Sequence, residues 1–543
     1  MALDLCVRPL ARRAICLGVS ALLAACGGGG DESEPINTDI SVTQPEAGPA
    51  PLPPSVPPEP TPAMPEPPAP MPPAPTPETP VTPAPQPTPP VPEPAPPTVP
   101  EPIARDAILK TQARVYAEAL WKSAETLDPG RALPVNKSCM NAQGVASPVG
   151  WVFTGNLGQF IWNVTAARDL GLLDAAEAQR RVARHLDSLA VLQATARQNG
   201  APGGLFHGTT DNRTAVPSGD VGSIENAWLA VSLAMAKQAY PELAAQAGAI
   251  LGQMRFETMV HPQKQQYEIS FNPKTQTYSG MTYGLLGETR LLAYVGIALG
   301  TVPRSQYFNI GRVPTWAERS QDPAKFRTYE GVRVYEGTRS YDGRHFMPTN
   351  GGSVFESFAV PVVISESKWG PNSWGRSHPN MAKTQIKYGL DTFGYWGFSP
   401  ASVPANAGYT EYGTPPASLG GSGYNPRGQR VATRAGPVVS LYSVLLLIEE
   451  DPEAVMANMK KLLDNFPTLN HSQYGLMDSV DVENGTVSKC LLAGNVGWAL
   501  GAVTNYLTDG KLRGYVDKEW GHMLQPLLEI EEFSIPAEPA QQG

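Results

Sequence analysis

Five carboxylates that stand among aromatic residues and glycines are the side chains of this sequence best suited to chemistry. They are Glu225, Glu288, Glu356, Glu411 and Asp478. A pair of such groups can protonate a leaving oxygen and activate a water molecule, which is the chemistry of glycosidic-bond cleavage. Aromatic rings beside them could stack on sugar faces. These residue types therefore indicate a protein directed at carbohydrate.

Motifs for other chemistries are missing from the sequence. It contains no GxSxG nucleophile elbow, no GxxxxGK[ST] phosphate loop and no GxGxxG that opens a helix. No CxxC, HExxH or Cys/His cluster has the spacing of a metal site. We therefore expect no cofactor and no structural metal.

Acidic charge and proline are concentrated near the N-terminus. Of the 543 residues, the first 103 carry 3 basic and 11 acidic side chains, and the remainder carries 38 Lys or Arg against 39 Asp or Glu. A near-neutral domain lacks the basic excess of a nucleic-acid binder, so no nucleic-acid partner is expected. Residues 31–103 hold 30 of the 57 prolines. We therefore expect a disordered Gly- and Pro-rich linker over 26–103 and one domain, a monomer, over 104–543.

The first 26 residues have the organisation of an export signal. Three arginines precede an apolar run that ends Leu23-Ala-Ala-Cys26. This ending resembles the bacterial lipobox, which implies a signal peptide over 1–25 and a lipid on Cys26 that attaches the chain to a membrane. Gly27 in place of Asp favours an outer-membrane lipoprotein of the bacterial cell envelope, facing the periplasm or the cell surface. An ordinary secretory signal is the alternative.

Two cysteines remain after export, Cys139 and Cys490. In an oxidising compartment they could form a disulfide that ties the start of the domain to its last quarter. Two separate buried thiols are the alternative, and the sequence does not decide between them.

Apolar residues recur at helical spacing through most of 104–543. Leu157, Ile161 and Val164, for example, form one stripe of a buried helix. Asp174 and Asp451 are N-cap residues that predict helix starts. The pattern predicts twelve helices, at 104–126, 155–171, 174–198, 222–239, 241–257, 284–299, 352–366, 380–393, 434–449, 452–465, 491–507 and 512–530.

Long loops rich in glycine and aromatic residues separate several of these helices. They span 127–154, 199–221, 258–283, 300–351 and 394–433. Loops of this length in a compact domain are usually functional or disordered, and their aromatic content argues against disorder. The alternation predicts an all-α protein, an (α/α)6 barrel whose long loops form a cleft at one rim. A helical solenoid is the alternative, but no 34- or 40-residue repeat is present.

The chain contains six short strings in order: Thr154–Gly158 with Ala167–Gly171, Ser223–Trp228, Tyr283–Arg290, Gly351–Glu356, Gly408–Pro415 and Tyr474–Asp478. In this order and approximate spacing they resemble a known family, the glucoamylase-like domain of bacterial endo-β-1,2-glucanases and cyclic β-1,2-glucan synthases. The resemblance covers about 150–507 and implies an (α/α)6 barrel that acts on a β-1,2-glucan.

The resemblance assigns roles to individual residues. The family's catalytic acid lies in a Tyr-x-Leu-Leu-x-x-Glu-x-Arg stretch, which implies Glu288 as the acid, just inside a helix among leucines that raise its pKa. Asp478 is similar to a late Asp of the family and is the candidate base, with Asp481 as its rival. The other predicted substrate-binding residues are Glu356, Glu411, Tyr412, Trp396, Glu225, Asp211 and Asn156.

Each main assignment has a structural alternative. Glu288 could instead form an ion pair with Arg290, Glu356 could cap a helix, and Asp478 could bond its own loop backbone.

One departure from the family bears on mechanism. The synthases carry a nucleophilic Glu after Trp-Gly-x-Ser, where this chain has Pro400. Proline cannot act as a nucleophile, so inverting hydrolysis by an acid and a base is expected rather than retaining transfer. A non-catalytic glycan-binding or polysaccharide-export lipoprotein on the same fold is the alternative. A polysaccharide lyase is a less favoured alternative, because the near-neutral charge of the domain predicts no basic cleft for uronic acids.

Overall fold

The computed structural model describes residues 102–128, 130, 133–313, 322–419 and 437–537. The signal peptide, Cys26 and nearly all of the linker lie outside these residues. The fold below is therefore that of the C-terminal domain.

Fourteen α-helices occur within the described ranges, and short 3-10 turns lie between them. The helices are α1 (Pro102–Thr126), α2 (Thr154–Asp169), α3 (Ala175–Gln198), α4 (Ser223–Ala239), α5 (Ala244–Leu251), α6 (Arg290–Ala298), α7 (Ser305–Phe308), α8 (Val354–Phe358), α9 (Glu366–Trp369), α10 (Trp374–Phe393), α11 (Leu441–Leu445), α12 (Pro452–Asn465), α13 (Ala493–Leu507) and α14 (Lys511–Leu528).

Seven predicted helices agree with the structure to within two residues at each end: α1, α2, α3, α4, α12, α13 and α14. Local capping explains two of the starts. The Asp174 carboxylate accepts the N–H groups of Ala176 and Glu177 at 2.9 and 3.1 Å, and Asp451 accepts the N–H of Ala454 at 3.0 Å.

The other five predicted helices are wrong in extent. The prediction for 284–299 begins too early, because Gly284 and Leu286 bond to Gly311 through their backbones and the helix starts only at Arg290. Pro361 lies in a 3-10 turn that divides 352–366 into α8 and α9. Helix α10 begins at Trp374, six residues before the predicted start at residue 380, and it contains Pro379. Within the predicted helix 241–257, only α5 is α-helical. Within the described part of the predicted helix 434–449, only α11 is.

Short antiparallel strands, which the sequence did not predict, organise the long loops. Their sheet orders are β2-β1-β20, β3-β4-β5, β6-β7-β8, β10-β9, β11-β12, β13-β14, β15-β18-β19 and β16-β17. The strands are β1 (Lys137–Met140), β2 (Ala146–Pro148), β3 (Trp151–Phe153), β4 (Thr209–Asp211), β5 (Pro217–Ser218), β6 (Val221–Gly222), β7 (Ser270–Asn272), β8 (Thr277–Tyr278), β9 (Phe326–Tyr329), β10 (Val332–Tyr335), β11 (Arg339–Tyr341), β12 (Arg344–Phe346), β13 (Ala401–Ser402), β14 (Tyr409–Thr410), β15 (Val438–Ser440), β16 (Asn470–His471), β17 (Gly475–Leu476), β18 (Ser479–Asp481), β19 (Thr486–Val487) and β20 (Cys490–Leu492).

Six helices buried along nearly their whole length form a closed inner ring: α2, α4, α6, α8, α11 and α13. Helix α2 packs on α4 and α13, α4 packs on α6, and α11 packs on α13. Arg290 of α6 donates to the Glu356 carbonyl of α8 at 2.7 Å, and the Phe355 and Tyr442 rings join α8 to α11. Helices such as α3, α10 and α12, which bury one face, alternate with them. The predicted (α/α)6 barrel is thus confirmed.

Four of the six inner helices begin directly after a small strand. Strand β3 leads into α2, β6 into α4, β15 into α11 and β20 into α13. Cys139 and Cys490 form a disulfide between β1 and β20, which joins the start of the domain to this rim. No helix within the described ranges is long and apolar enough to cross a membrane.

Candidate active site

Glu288 lies in the turn before α6, not inside the helix as predicted, and only 9% of its surface is exposed. Its Oε2 accepts the indole N–H of Trp228 on α4 at 3.1 Å. Arg290 does not pair with it. That guanidinium instead makes two bonds to the Glu366 carboxylate, at 2.6 and 2.9 Å. The alternative of a Glu288–Arg290 ion pair is therefore ruled out.

Burial raises the pKa of the Glu288 carboxyl to about 8, and the nearby charges of Glu225 and Glu356 act in the same direction. The Trp228 hydrogen bond and the charge of Arg290 oppose this shift without cancelling it. A carboxyl with this pKa holds its proton at neutral pH. Glu288 is thus equipped to donate a proton.

Glu225 stands in the first turn of α4, one turn before Trp228. Its Oε2 accepts the N–H of Gly155 at 3.2 Å, and burial raises its pKa to about 7. A Cβ on Gly155 would come within 2.6 Å of that oxygen, so a larger residue there would displace the carboxylate. Glu225 therefore places a second carboxyl, with a pKa raised by burial, close to Glu288.

Glu356 forms the capping box of α8 with Ser353, as the structural alternative proposed. Its carboxylate also accepts the N–H of Gly351, at 2.9 and 3.0 Å, and the hydroxyl of Thr349 at 3.1 Å. Burial raises its pKa, and these hydrogen bonds oppose the increase. Glu356 nevertheless lines the same pocket as Glu288, so the cap also contributes to the pocket wall.

Asp478 lies between β17 and β18 and is 6% exposed. Its Oδ2 accepts the backbone N–H and the hydroxyl of Ser402 at 2.6 and 2.9 Å, and its Oδ1 accepts Asn495 Nδ2 at 2.7 Å. Burial raises its pKa to about 6, which these bonds and the charge of Lys137 moderate. The group is therefore mainly ionised at neutral pH. Its rival Asp481 caps its own turn, bonding the N–H groups of residues 483 and 484.

Two neighbouring cavities share Glu288 as a wall residue. A pocket of about 670 Å³ lies along 282–289 and reaches Asn350 and Glu356. A more enclosed cavity of about 280 Å³ lies between α2, α4 and α13 and is also lined by Asn156 and Glu225. Four predicted site residues are thus brought together: Glu225, Glu288, Glu356 and Asn156. Asp478 lines neither cavity.

Aromatic rings connect the two candidate catalytic regions. Trp498 on α13 packs against Trp228, with ring centroids 5.7 Å apart, and against Phe355 at 4.4 Å. Asn495, one turn before Trp498, holds Asp478. Trp228 and Trp498 were not predicted as site residues. The position of Trp228 three residues after Glu225, on the same helical face, was a signal that could have identified it.

The remaining predicted substrate-binding residues lie outside these cavities. Asp211 is half-buried at the end of β4 and accepts the N–H groups of Arg213 and Thr214 at 2.9 and 2.8 Å. Trp396 and Tyr412, predicted to bind substrate, are each 1% exposed, so neither ring offers a face to a sugar in this structure. Glu411 is half-buried in the segment after β14.

No group of three or more His, Cys, Asp or Glu side chains within the described ranges is arranged to hold a metal ion.

Comparisons with known proteins support the fold. No family model matches the chain, and no curated protein does. An endo-β-1,2-glucanase from Chitinophaga pinensis, solved with sophorotriose and glucose, is 14% identical with a TM-score of 0.59, over 77% of this chain and 98% of that one. A β-1,2-glucanase from Parabacteroides distasonis is 14% identical with a TM-score of 0.58, over 76% of this chain and 60% of that one.

A mutant endo-β-1,2-glucanase from Talaromyces funiculosus, solved with β-1,2-glucan, is 12% identical with a TM-score of 0.56, over 78% of this chain and 90% of that one. At such low identities, the similarity shows that this chain shares the (α/α)6-barrel fold of these proteins.

Proposed function

We propose that this protein is a glycoside hydrolase that cleaves β-1,2-glucan or a related bacterial polysaccharide. The observation that carries the proposal is Glu288, a buried carboxyl that holds its proton at neutral pH and lines a pocket of about 670 Å³. Structures with the same fold are described as endo-β-1,2-glucanases, two of them solved with β-1,2-glucan or sophorotriose. The stretch Tyr283–Arg290, which resembles the acid-bearing stretch of that family, supports Glu288 as the acid.

In the proposed reaction, Glu288 protonates the glycosidic oxygen while Asp478 takes a proton from a water molecule. The water oxygen attacks the anomeric carbon from the opposite face, the glycosidic bond breaks, and the configuration at that carbon inverts. A carboxylate has about four lone-pair positions, and three of those on Asp478 are occupied by Ser402 and Asn495. The remaining position, on Oδ1, is available to accept the proton.

The test is to incubate the purified protein with β-1,2-, β-1,3- and β-1,4-glucans and to measure new reducing ends. We expect reducing ends from β-1,2-glucan, and their loss in Glu288→Gln. A matched control is Glu118→Gln, the same chemical change at an exposed position of α1, which should leave the activity unchanged. No release from any glucan would contradict the hydrolase assignment.

A non-catalytic glycan-binding protein is the second candidate. The observation that favours it is the position of Asp478, which is held by three hydrogen bonds and lines neither cavity. Binding of glucan by the wild-type protein without release of reducing ends would establish this function instead.

We further propose that the protein is anchored to the outer membrane by a lipid on Cys26, facing the periplasm or the cell surface. The support is the Leu23–Cys26 lipobox and the long proline-rich segment that follows it. A Cys26→Ser variant should leave the membrane fraction of lysed cells while keeping the activity of the domain. A variant that still sediments with outer membrane would contradict the anchor.

A further inference from the structure

The narrow cavity between α2, α4 and α13 has a wall of mixed polarity. It is lined by Gln159 of α2, Glu225 and Trp228 of α4, Trp498 of α13, and Glu288. It has room for roughly one water molecule or hydroxyl group.

Two polar atoms in the residues of this wall lack a hydrogen-bond partner among the described residues. They are Gln159 Oε1, an acceptor, and Trp498 Nε1, a donor. The two side chains are only 2% and 5% exposed, so bulk water does not satisfy them. Buried polar groups are nearly always hydrogen-bonded, which indicates that a ligand with both a donor and an acceptor completes this wall.

Close helix packing fixes the position of both groups. A Cβ on Gly497 of α13 would come within 3.1 Å of the Gln159 side chain, so α13 approaches α2 through a glycine at this point. Gln159 Nε2 also donates to the carbonyl of Gly494 at 3.3 Å, which holds the amide in place. The donor and the acceptor therefore belong to a rigid part of the barrel.

The charge of the wall favours a neutral ligand. Among the described residues, no Lys or Arg lines the cavity, which disfavours an anion. Glu225 and Glu288 have pKa values raised by burial to about 7 and 8, so both are at least partly protonated at neutral pH, which disfavours a cation. A hydroxyl group matches, because it accepts one hydrogen bond and donates another.

We propose that this cavity is a subsite for one hydroxyl group of the bound sugar, which accepts the N–H of Trp498 and donates to Gln159 Oε1. The inference rests on the proposed function. The sugar ring lies in the larger pocket that shares Glu288, and the anchored hydroxyl positions the adjacent glycosidic oxygen near that acid. A water molecule occupies the cavity when no sugar is bound.

The experiment measures KM, kcat and the melting temperature with β-1,2-glucan for Trp498→Phe and Gln159→Met. Each change keeps most of the side-chain volume and removes one of the two polar atoms. Loss of a hydrogen bond to a neutral hydroxyl should raise KM by roughly three- to tenfold. The matched control is Trp520→Phe, because Trp520 on α14 is similarly buried, at 3% exposed, but does not line the cavity.

An increase of KM in both cavity variants, with KM unchanged in Trp520→Phe, would support the subsite. An unchanged KM in the cavity variants, whatever their melting temperatures, would show that the cavity holds only structural water. An equal increase in Trp520→Phe would show a packing effect. Either of these two results overturns the subsite while leaving the hydrolase standing, whereas a wild-type protein without turnover overturns the proposed function as well.

Discussion

Two buried carboxylates that lie close to the same short segment, Glu288 and Glu366, have opposite surroundings. Glu366 is fully buried and is held by the guanidinium of Arg290 and the hydroxyl of Tyr294, at 2.6 to 2.9 Å. Glu288, two residues before that arginine, is 9% exposed, and within the described ranges its side-chain donor is the neutral indole N–H of Trp228. Of these two buried carboxylates, Glu366 is thus bonded to a cation and Glu288 to a neutral group.

The difference shows how the barrel separates support from chemistry. The Glu366 carboxylate, bonded by both arms of an arginine, joins helices, whereas Glu288, with a neutral donor, keeps a proton instead of a charge. Arg290 also donates to the carbonyl oxygens of Gly287 and Glu356, at 2.6 and 2.7 Å. The ion pair therefore holds the backbone on both sides of the pocket that contains the proposed acid.

The largest expected effect comes from removing the proton of Glu288. Glu288→Gln keeps the shape of the side chain but cannot protonate a leaving group, so kcat should fall by about 10²–10⁴-fold. Steady-state kinetics on β-1,2-glucan measures this, and calorimetry should show that glucan binding persists. Near-normal turnover would move the acid to another residue, with Glu356 the next candidate.

Breaking the ion pair between Arg290 and Glu366 should affect the stability of the protein rather than its chemistry. Arg290→Met leaves the Glu366 charge buried without its partner, so the free energy of unfolding should fall by about 3–5 kcal/mol. Denaturant unfolding measures this, with Arg114→Met at an exposed pair on α1 as the control, where a change below about 1 kcal/mol is expected. Equal losses in the two variants would show that the buried pair is not the support described above.

The pH dependence of stability should report the raised pKa of Glu288. Because the folded-state pKa of Glu288 is raised to about 8, its contribution to stability is complete below pH about 4.5 and is lost as the pH rises toward 8. Glu288→Gln removes this loss, so the variant should be more stable than wild type at pH 8 to 9, by on the order of 4 kcal/mol. The two proteins should unfold alike near pH 4. A variant less stable than wild type at pH 9 would contradict the raised pKa.

The smallest effect concerns the pH dependence of activity. Glu288 must be protonated and Asp478 ionised, so kcat/KM should form a bell between about pH 6 and pH 8. Glu225→Gln removes a like charge that raises the pKa of Glu288, so the alkaline limb should move to lower pH, by less than about one unit. A limb that stays in place would show that Glu225 does not influence the acid.

The sequence predicted what depends on neighbouring residues. The caps at Asp174 and Asp451 and the inner-ring helices with long apolar patterns follow from local spacing and were found. The start of α6 was missed because Gly284 and Leu286 bond to Gly311, which lies more than twenty residues away along the chain. The short strands were missed for the same reason, since two- or three-residue pairings depend on which loops meet.

The site residues divide in a similar way. Motif resemblance identified Glu225, Glu288 and Glu356, which the structure brings together. It could not identify the contact between Trp228 and Glu288, because that contact depends on the packing of α4 against the turn before α6. It also could not show that Trp396 lies in the core, since residue type alone does not determine whether a ring faces the cleft or the interior.

The most direct test of the central claim is to observe the proton on Glu288. Infrared difference spectra between wild type and Glu288→Gln, recorded from pH 4 to pH 10 with isotope-labelled glutamate, report the carbonyl band of a protonated carboxyl group. We expect a band in the wild type at pH 7 that disappears as the pH rises through about 8 and is missing in the variant. A wild-type carboxyl already ionised by pH 5 would show that Glu288, despite its burial, is not held as a neutral acid.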